Sequence, residues 1–399
     1  MATSFRLKHF SNPAALKQID RVSLFGLLYP FNDFLKSRDP QVIVGEKIDY
    51  ERLAKILMSP GLDTPMQLME ALFLIEETAS IESPDLILDR AVEYNIDFGH
   101  LANATSADLA VAVWLKNPDI LEAIHAEGYI VKAKKFDSYF TTSMSLPCYP
   151  AENDELLETI EQDLNKWFEK RKRGIGSKIF KFKRDDKIWF LVRHGELFKR
   201  EGVLNGSESA SIFYRPEKYD ILFYWPEYGE LAIHSTSEKD QIEYCKILGK
   251  HLFNNEAFFD TSGREKYTLE PLRTDGRAAL SCADVDGIEH ISFTELYWRY
   301  NSNQMHIQMH KANDIFEALS VKKFTIPKDA TLTKASFKIK FKGSKSTRTV
   351  TIRLPSAAIF GRDSDADVVN EWLKKRGFIN EVISQERADD QIQQAVAVS

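Results

Sequence analysis

From residue 13 to residue 127 no run alternates apolar and polar side chains, whereas such runs dominate the chain beyond residue 128. That division constrains the fold most: the first part has the apolar spacing of helices and the second that of strands. In the first part Leu24, Leu27, Leu28, Phe31 and Leu35 recur at helical spacing. Asp49, Thr64 before Pro65, Ser83 before Pro84, Ser106, and Asn117 before Pro118 are helix starts. The expectation is helices only, packed as a compact domain over residues 1–145 with Phe73, Leu74, Trp114 and Leu115 in the core.

A strand-like run at 129–141 marks the change, and the Pro147 and Pro150 stretch is the expected boundary. Residues 154–173 read as a helix with Leu156, Ile160, Leu164, Trp167 and Phe168 on its apolar face and Gly174 beyond its end. Strands are expected where Ile179, Phe180 and Phe182 interleave with lysines, then at 188–192, 219–224 and 231–235, with a polar loop between Gly202 and Ser211. A helix over 241–253 closes that stretch. Farther on, strands are expected at 288–292, 305–309, 335–341 and 347–354, and helices at 313–319 and 363–377. The fold class is α+β: a helical domain at 1–145, a central α/β unit at 146–260, a β-rich region with a terminal helix at 261–380, and a tail at 381–399.

Apolar and aromatic contents of 43% and 12% belong to a globular chain. Cys148, Cys245 and Cys282 lie far apart without a CxxC pair, which suits a reducing cytoplasm. No run has the roughly 18 apolar residues of a membrane span, and the first residues lack the apolar core of a signal peptide. Charge is uneven: residues 1–130 hold 11 Lys/Arg against 19 Asp/Glu, residues 131–378 hold 41 against 36. The acidic and basic parts are therefore expected to face different partners, or each other.

Two constellations carry possible chemistry. Arg193-His194-Gly195-Glu196 ends the apolar run IWFLV. These four residues resemble the motif of the histidine phosphatase superfamily, which implies a phosphate-accepting His194 and a phosphate-holding Arg193. No second His-Gly occurs later in the chain, and the alternative is an ordinary strand end. Downstream, Asp220, the hairpin, Glu230 and the helix after it resemble the restriction-endonuclease-like (PD-(D/E)xK) core. The resemblance implies carboxylates for Mg²⁺ and a lysine for the attacking water. Here the Glu-x-Lys places fall on Ile233 and Ser235, which do neither, so the implied core lacks its catalytic groups. The enzyme alternative is a metal-dependent nuclease at Asp220 and Glu230, or a phosphatase at His194. No metal site and no cofactor are expected.

The basic residues form two groups. One runs from Lys166 to Lys187 and includes Lys170, Arg171, Arg173, Lys181 and Lys183. In the other, Lys338, Lys340 and Lys342 alternate with Phe337, Ile339 and Phe341, Arg348 comes next on the adjoining run, and no acid occurs from 331 to 361. A two-residue period with lysines on one face suits a row of phosphates; the alternative is a solvated sheet face guarded by lysines. The expected function is a non-catalytic accessory subunit that binds the backbone of DNA or RNA, or a nucleic-acid enzyme, with a protein partner on the acidic helical domain. A protein–protein adaptor is the other non-enzymatic class. The overall layout resembles bacterial proteins of defence and mobile-element gene clusters.

Overall fold

The computed structural model of the chain describes residues 7–61, 63–80, 84–93, 95–96, 98, 104–143, 149, 154–184, 186–205, 207–262, 266–300, 306–361 and 365–380. The expected boundary around Pro147 and Pro150, the cap at Ser83 and the tail from 381 lie outside these residues. Two compact units divide the chain, Met1–Tyr129 and Ile130–Ser399.

The first unit is built from α1 (Pro13–Leu16), α2 (Arg21–Leu28), α3 (Asn32–Arg38), β1 (Ile43–Val44), β2 (Lys47–Ile48), α4 (Tyr50–Leu57), α5 (Met66–Ala79), α6 (Pro84–Glu93) and α7 (Ser106–Lys116). Helix α8 (Pro118–Lys132) contains the division. Leu24, Leu27, Leu53, Leu72, Val111 and Leu121 are among its buried core side chains. Asp20 and Asp49 cap α2 and α4 by accepting from backbone N–H groups. Glu127, buried, accepts two hydrogen bonds from Arg90, at 2.7 and 2.9 Å.

Some local expectations fail here. The short hairpin β1–β2 interrupts the helices. Thr64 does not cap α5: its Oγ1 accepts from the Gly61 N–H instead. The cap of α7 is Thr105, in a reciprocal capping box with Asp108, and not Ser106. Leu115 is exposed and lies outside the core.

The second unit contains one ten-stranded sheet, antiparallel at every pairing. In chain order come β3 (Lys135–Phe140), α9 (Asp154–Lys170), β4 (Lys178–Arg184), β5 (Lys187–Gly195), β6 (Lys199–Asn205), β7 (Glu208–Tyr214), β8 (Glu217–Trp225), β9 (Glu230–His234) and α10 (Glu238–Phe253). After these come α11 (Pro271–Thr274), β10 (Ile288–Tyr300), β11 (Ile307–Lys311), α12 (Ile315–Val321), β12 (Ala330–Phe341), β13 (Thr347–Arg353), β14 (Ala357–Ile359) and α13 (Ala366–Lys375). The sheet order is β11-β10-β12-β13-β14-β3-β9-β8-β5-β4. The regions 146–260 and 261–380 therefore share one sheet, joined through β3, a strand within the expected helical stretch 1–145, which pairs with β14 on one side and β9 on the other. Neither three-residue β14 nor that pairing leaves a periodic signal in the chain.

Helices α9 and α10 cover one face of the β3–β4 half. Ile160, Leu164 and Phe168 of α9 and Tyr244, Cys245 and Leu248 of α10 pack on Phe190, Val192, Leu222, Tyr224 and Ile233. By strand alternation Trp189, Phe223 and Ala232 face the other way. The other half buries Phe293, Trp298, Phe337, Ile352 and Trp372 in its own core. Among the described residues β6 and β7 pair only with each other, and they replace the expected polar loop. The Asn205-Gly206 dipeptide between two runs is the hairpin signal there.

Candidate functional site

Beneath α9 and α10 the sheet carries a buried polar network. Asp220 lies in β8 at the same alternation as Leu222 and Tyr224, so its carboxylate enters the interior, fully buried. Its Oδ2 accepts from Tyr244 Oη at 2.9 Å, Ser235 Oγ at 3.0 Å and His194 Nε2 at 3.1 Å. Its Oδ1 receives no hydrogen bond from the described residues, with the Lys218 ammonium 3.9 Å away. Burial alone would raise the Asp220 carboxyl; hydrogen bonding from His194, the nearby charges and Tyr244 outweigh it and hold the group below its ordinary range. Tyr244, wholly buried against that carboxylate, is pushed well above the usual phenol value.

Arg173 completes the network. After α9 the chain turns through left-handed Lys172 and Gly174, at φ 61° and 79°, which folds Arg173 back inward. Its guanidinium donates to Asp240 at 2.6 Å, to His194 Nδ1 at 2.7 Å and to the Gly195 carbonyl at 3.0 Å. A guanidinium has no acceptor, so the Arg173 contact suits an accepting Nδ1 with the imidazole proton on Nε2 facing Asp220; Nδ1 also lies 3.1 Å from the Gly195 carbonyl, which can only accept. Phe168 stacks on the imidazole with ring centroids 4.3 Å apart. Asp240 occupies the first turn of α10, where the helix dipole favours a carboxylate, and also accepts from Trp167 Nε1 at 2.9 Å.

This geometry separates the members of the phosphatase-like motif and removes one residue from the expected basic surface. His194 is 2% exposed with both ring nitrogens engaged, so no phosphate reaches it. Arg193, at the opposite alternation on β5, lies beside Glu217 at 3.9 Å and does not share a site with His194. Arg173 is buried too, and does not belong to the surface bases expected from the run Lys166–Lys187.

Asp220 and Glu230 cannot hold one ion between them. β8 and β9 pair Trp225 with Glu230 and Leu222 with Ile233, placing Glu230 on the face opposite Asp220. Ile233 is core, and Ser235 donates to Asp220. Glu230 is buried, its Oε1 accepting from Lys266 Nζ at 2.5 Å and Ser138 Oγ at 2.6 Å. Among the described residues no three His, Cys, Asp or Glu side chains converge to hold a metal ion.

The basic residues on the surface fall into two sets. β4 is an edge strand, with Lys181 and Lys183 exposed. Lys170 is exposed at the end of α9, and Arg171 stacks over Trp167 at 4.4 Å and lies 3.5 Å from Asp240. On β12 the alternation holds: Phe337, Ile339 and Phe341 are buried while Lys338 is exposed. Lys338 sits between Ser292 of β10 and Thr349 of β13, and Lys340 between His290 and Thr347. Part of the face is neutralised. Glu295 pairs with Lys311 at 2.9 Å and Lys334 at 3.1 Å, and Asp286 with Lys342 at 2.6 Å. Arg348 does not share this face as expected: it pairs with Ile339 at the opposite alternation, lies over the Phe341 ring and meets Asp365 at 3.0 Å. The Lys311 and Lys334 contacts hold the Glu295 carboxyl below its ordinary range despite partial burial. Lys340 donates to the Ser344 carbonyl.

Asp240, Tyr244, Ser235 and Trp167 do not stand out in the sequence. Only Asp220, a lone acid at a core-facing alternation, signals that donors must gather there. Neither helix α8 nor any other described helix is long and apolar enough to cross a membrane. No protein-family model matches the chain, and no curated protein matches it.

Proposed function

We propose that the chain is a non-catalytic accessory subunit that binds the phosphate backbone of nucleic acid through the polar face of β10, β12 and β13. The carrying observation is the row formed by Ser292, Lys338 and Thr349, next to His290, Lys340 and Thr347, on three paired strands. Lysine ammonium groups flanked by hydroxyls and, at Lys340, an imidazole suit phosphate oxygens, and the contact is independent of base sequence. Lys338, Lys345 and Arg353 stand on or beside this face without a carboxylate partner among the described residues. Supporting the absence of catalysis, Asp220 and His194 are sealed in the interior, and the nuclease-like order of strand, hairpin and helix carries Ile233 and Ser235 at the Glu-x-Lys places.

The test is a mobility-shift series with duplex and single-stranded DNA and RNA across a range of salt. Each engaged phosphate contributes a slope of about −0.9 in log K against log salt on duplex DNA. Lys338→Ala with Lys340→Ala is expected to flatten that slope by up to about 2 units. Glu295→Gln, which removes the acid from the same face, is expected to strengthen binding. Wild-type protein that shifts no nucleic acid at about 50 mM salt would overturn the reading. Binding to a protein alone, lost when acidic residues of the first unit are replaced, would favour the adaptor class instead.

A further inference from the structure

Strands β6 and β7 stand apart from the ten-stranded sheet, and none of their described side chains is buried. A lone two-stranded hairpin is marginal in water and gains stability from a third strand. This one also exposes large apolar side chains: Leu204 is 81% exposed, Phe213 61% and Ile212 46%. Its two outer edges differ. β6 carries Lys199, Arg200 and Glu201, just as the edge strand β4 of the main sheet carries Lys178, Lys181, Lys183 and Arg184. Charges of this kind guard an open edge against pairing. From Ser209 to Tyr214, β7 has neither a charge nor a proline, and among the described residues no strand lies on its outer side.

We infer that this edge pairs antiparallel with the same edge of a second copy of the chain, across a two-fold axis at Ser211. The strand runs from Glu208 to Tyr214, so Ser211 is its midpoint and this register overlaps all seven residues. Each bulky residue then meets a small one. Phe213 falls opposite Ser209 of the second copy. Ser209 pairs with Leu204 within its own hairpin, so the Phe213 ring reaches across the small serine to the exposed leucine beyond it. On the other face Ile212 falls opposite Ala210 of the second copy, whose own cross-strand neighbour is Val203. At the axis Ser211 meets Ser211, each beside a Gly202 at which a Cβ would find nothing within 4 Å. No like charges stand opposite one another: Glu208 meets Tyr214, whose neighbour across the hairpin is Lys199. The hairpin carries two bases, Lys199 and Arg200, and two acids, Glu201 and Glu208, so two copies approach without net repulsion. The pairing forms one four-stranded antiparallel sheet and supplies the neighbour that each hairpin lacks.

The experiment is sedimentation equilibrium of the full chain from about 1 µM to about 1 mM. The average mass is expected to rise with concentration from that of one chain towards twice that value. Ser211→Lys sets two ammonium groups face to face at the axis and is expected to weaken association about tenfold or more. Ser211→Glu does the same with two carboxylates. An equimolar mixture of these two variants puts opposite charges across the axis and is expected to associate again, a recovery that misfolding of either variant would not allow. Lys338→Ala is expected to leave association unchanged, so this inference and the nucleic-acid reading can fail separately. The inference is overturned if the chain stays a single copy at every concentration, which would leave the edge to a strand of another protein. It is overturned equally if Ser211→Lys associates like wild type, which would place the contact elsewhere, or if the mixture of the two variants does not associate.

Discussion

Asp220 is where the interior depends most on a single side chain, and its replacement should be felt as stability rather than activity. Asp220→Ala strips one acceptor from three buried donors, those of Tyr244, Ser235 and His194. Each orphaned donor costs about 1–3 kcal/mol. The three share one oxygen, and His194 is also tied to Arg173, so the costs do not add. Removing one member of a buried charged network typically costs about 3–5 kcal/mol, and about 4 kcal/mol is expected here. Asp220→Asn keeps the shape and still presents an oxygen to the same donors. It loses only the strengthening that a charged acceptor gives, which sets its cost near 2 kcal/mol. Urea unfolding monitored by tryptophan fluorescence reads this directly, because only Trp114 of the six tryptophans lies in the first unit. The Ala variant should lower the midpoint of the transition of the second unit, and the Asn variant should fall between it and wild type. If both variants unfold within about 0.5 kcal/mol of wild type, the ordinary range of a surface change, the network does not hold these elements together.

The same carboxylate predicts a pH dependence. Its folded value is depressed while the unfolded value is near 3.9, so the unfolded chain binds the proton first and stability falls as pH drops below about 4. Asp220→Asn should flatten that fall in acid unfolding curves. Gly195→Ala is expected to destabilise the second unit by about 1–3 kcal/mol in the urea assay. A Cβ there would run into the Arg173 carbonyl oxygen and the Arg215 side chain, and neither is free to move. Arg173 is held by Asp240, and Arg215 donates to the Lys172 and Glu196 carbonyls at 2.6 and 2.8 Å. Unchanged stability of that variant would mean the turn after α9 is not rigid.

The helices and most strands are legible in the sequence because each buries one face. The Leu24–Leu35 spacing fixes a helical start to the chain, and the lysine-phenylalanine alternation of β12 fixes its register. What escapes is what long-range pairing decides. β10 runs to Tyr300, well beyond the expected Ser292, because β12 and β11 supply partners on both sides of its second half. Its residues Thr294 and Glu295 break the apolar pattern, and Glu295 owes its place to lysines of two neighbouring strands, Lys311 and Lys334. The lysine face therefore looks free of acid in its own segment, 331–361, and acquires Glu295 when β10 folds beside it and Asp286 from just before that strand.

The candidate site obeys the same logic in the opposite direction. Arg193-His194-Gly195-Glu196 has the residue types of a phosphate site, yet alternation on β5 sends Arg193 and His194 to opposite faces. What meets His194 is an arginine from elsewhere, Arg173, which in the sequence is one base in a run of bases. Two conditions place it inside. The left-handed turn at Lys172 and Gly174 reverses the chain, and α10 presents Asp240, 1% exposed, as a counter-charge at its dipole-favoured end. The network thereby ties the end of α9 to β5, β8, the end of β9 and α10, five segments spread from residue 167 to residue 244. A one-residue slip of β5 against β8 would turn His194 to the other face and strand Asp220, so the polar contacts penalise the wrong register where apolar packing alone would tolerate it. A cluster of this kind, closed to solvent and with every donor committed, is suited to fixing strands and helices in place.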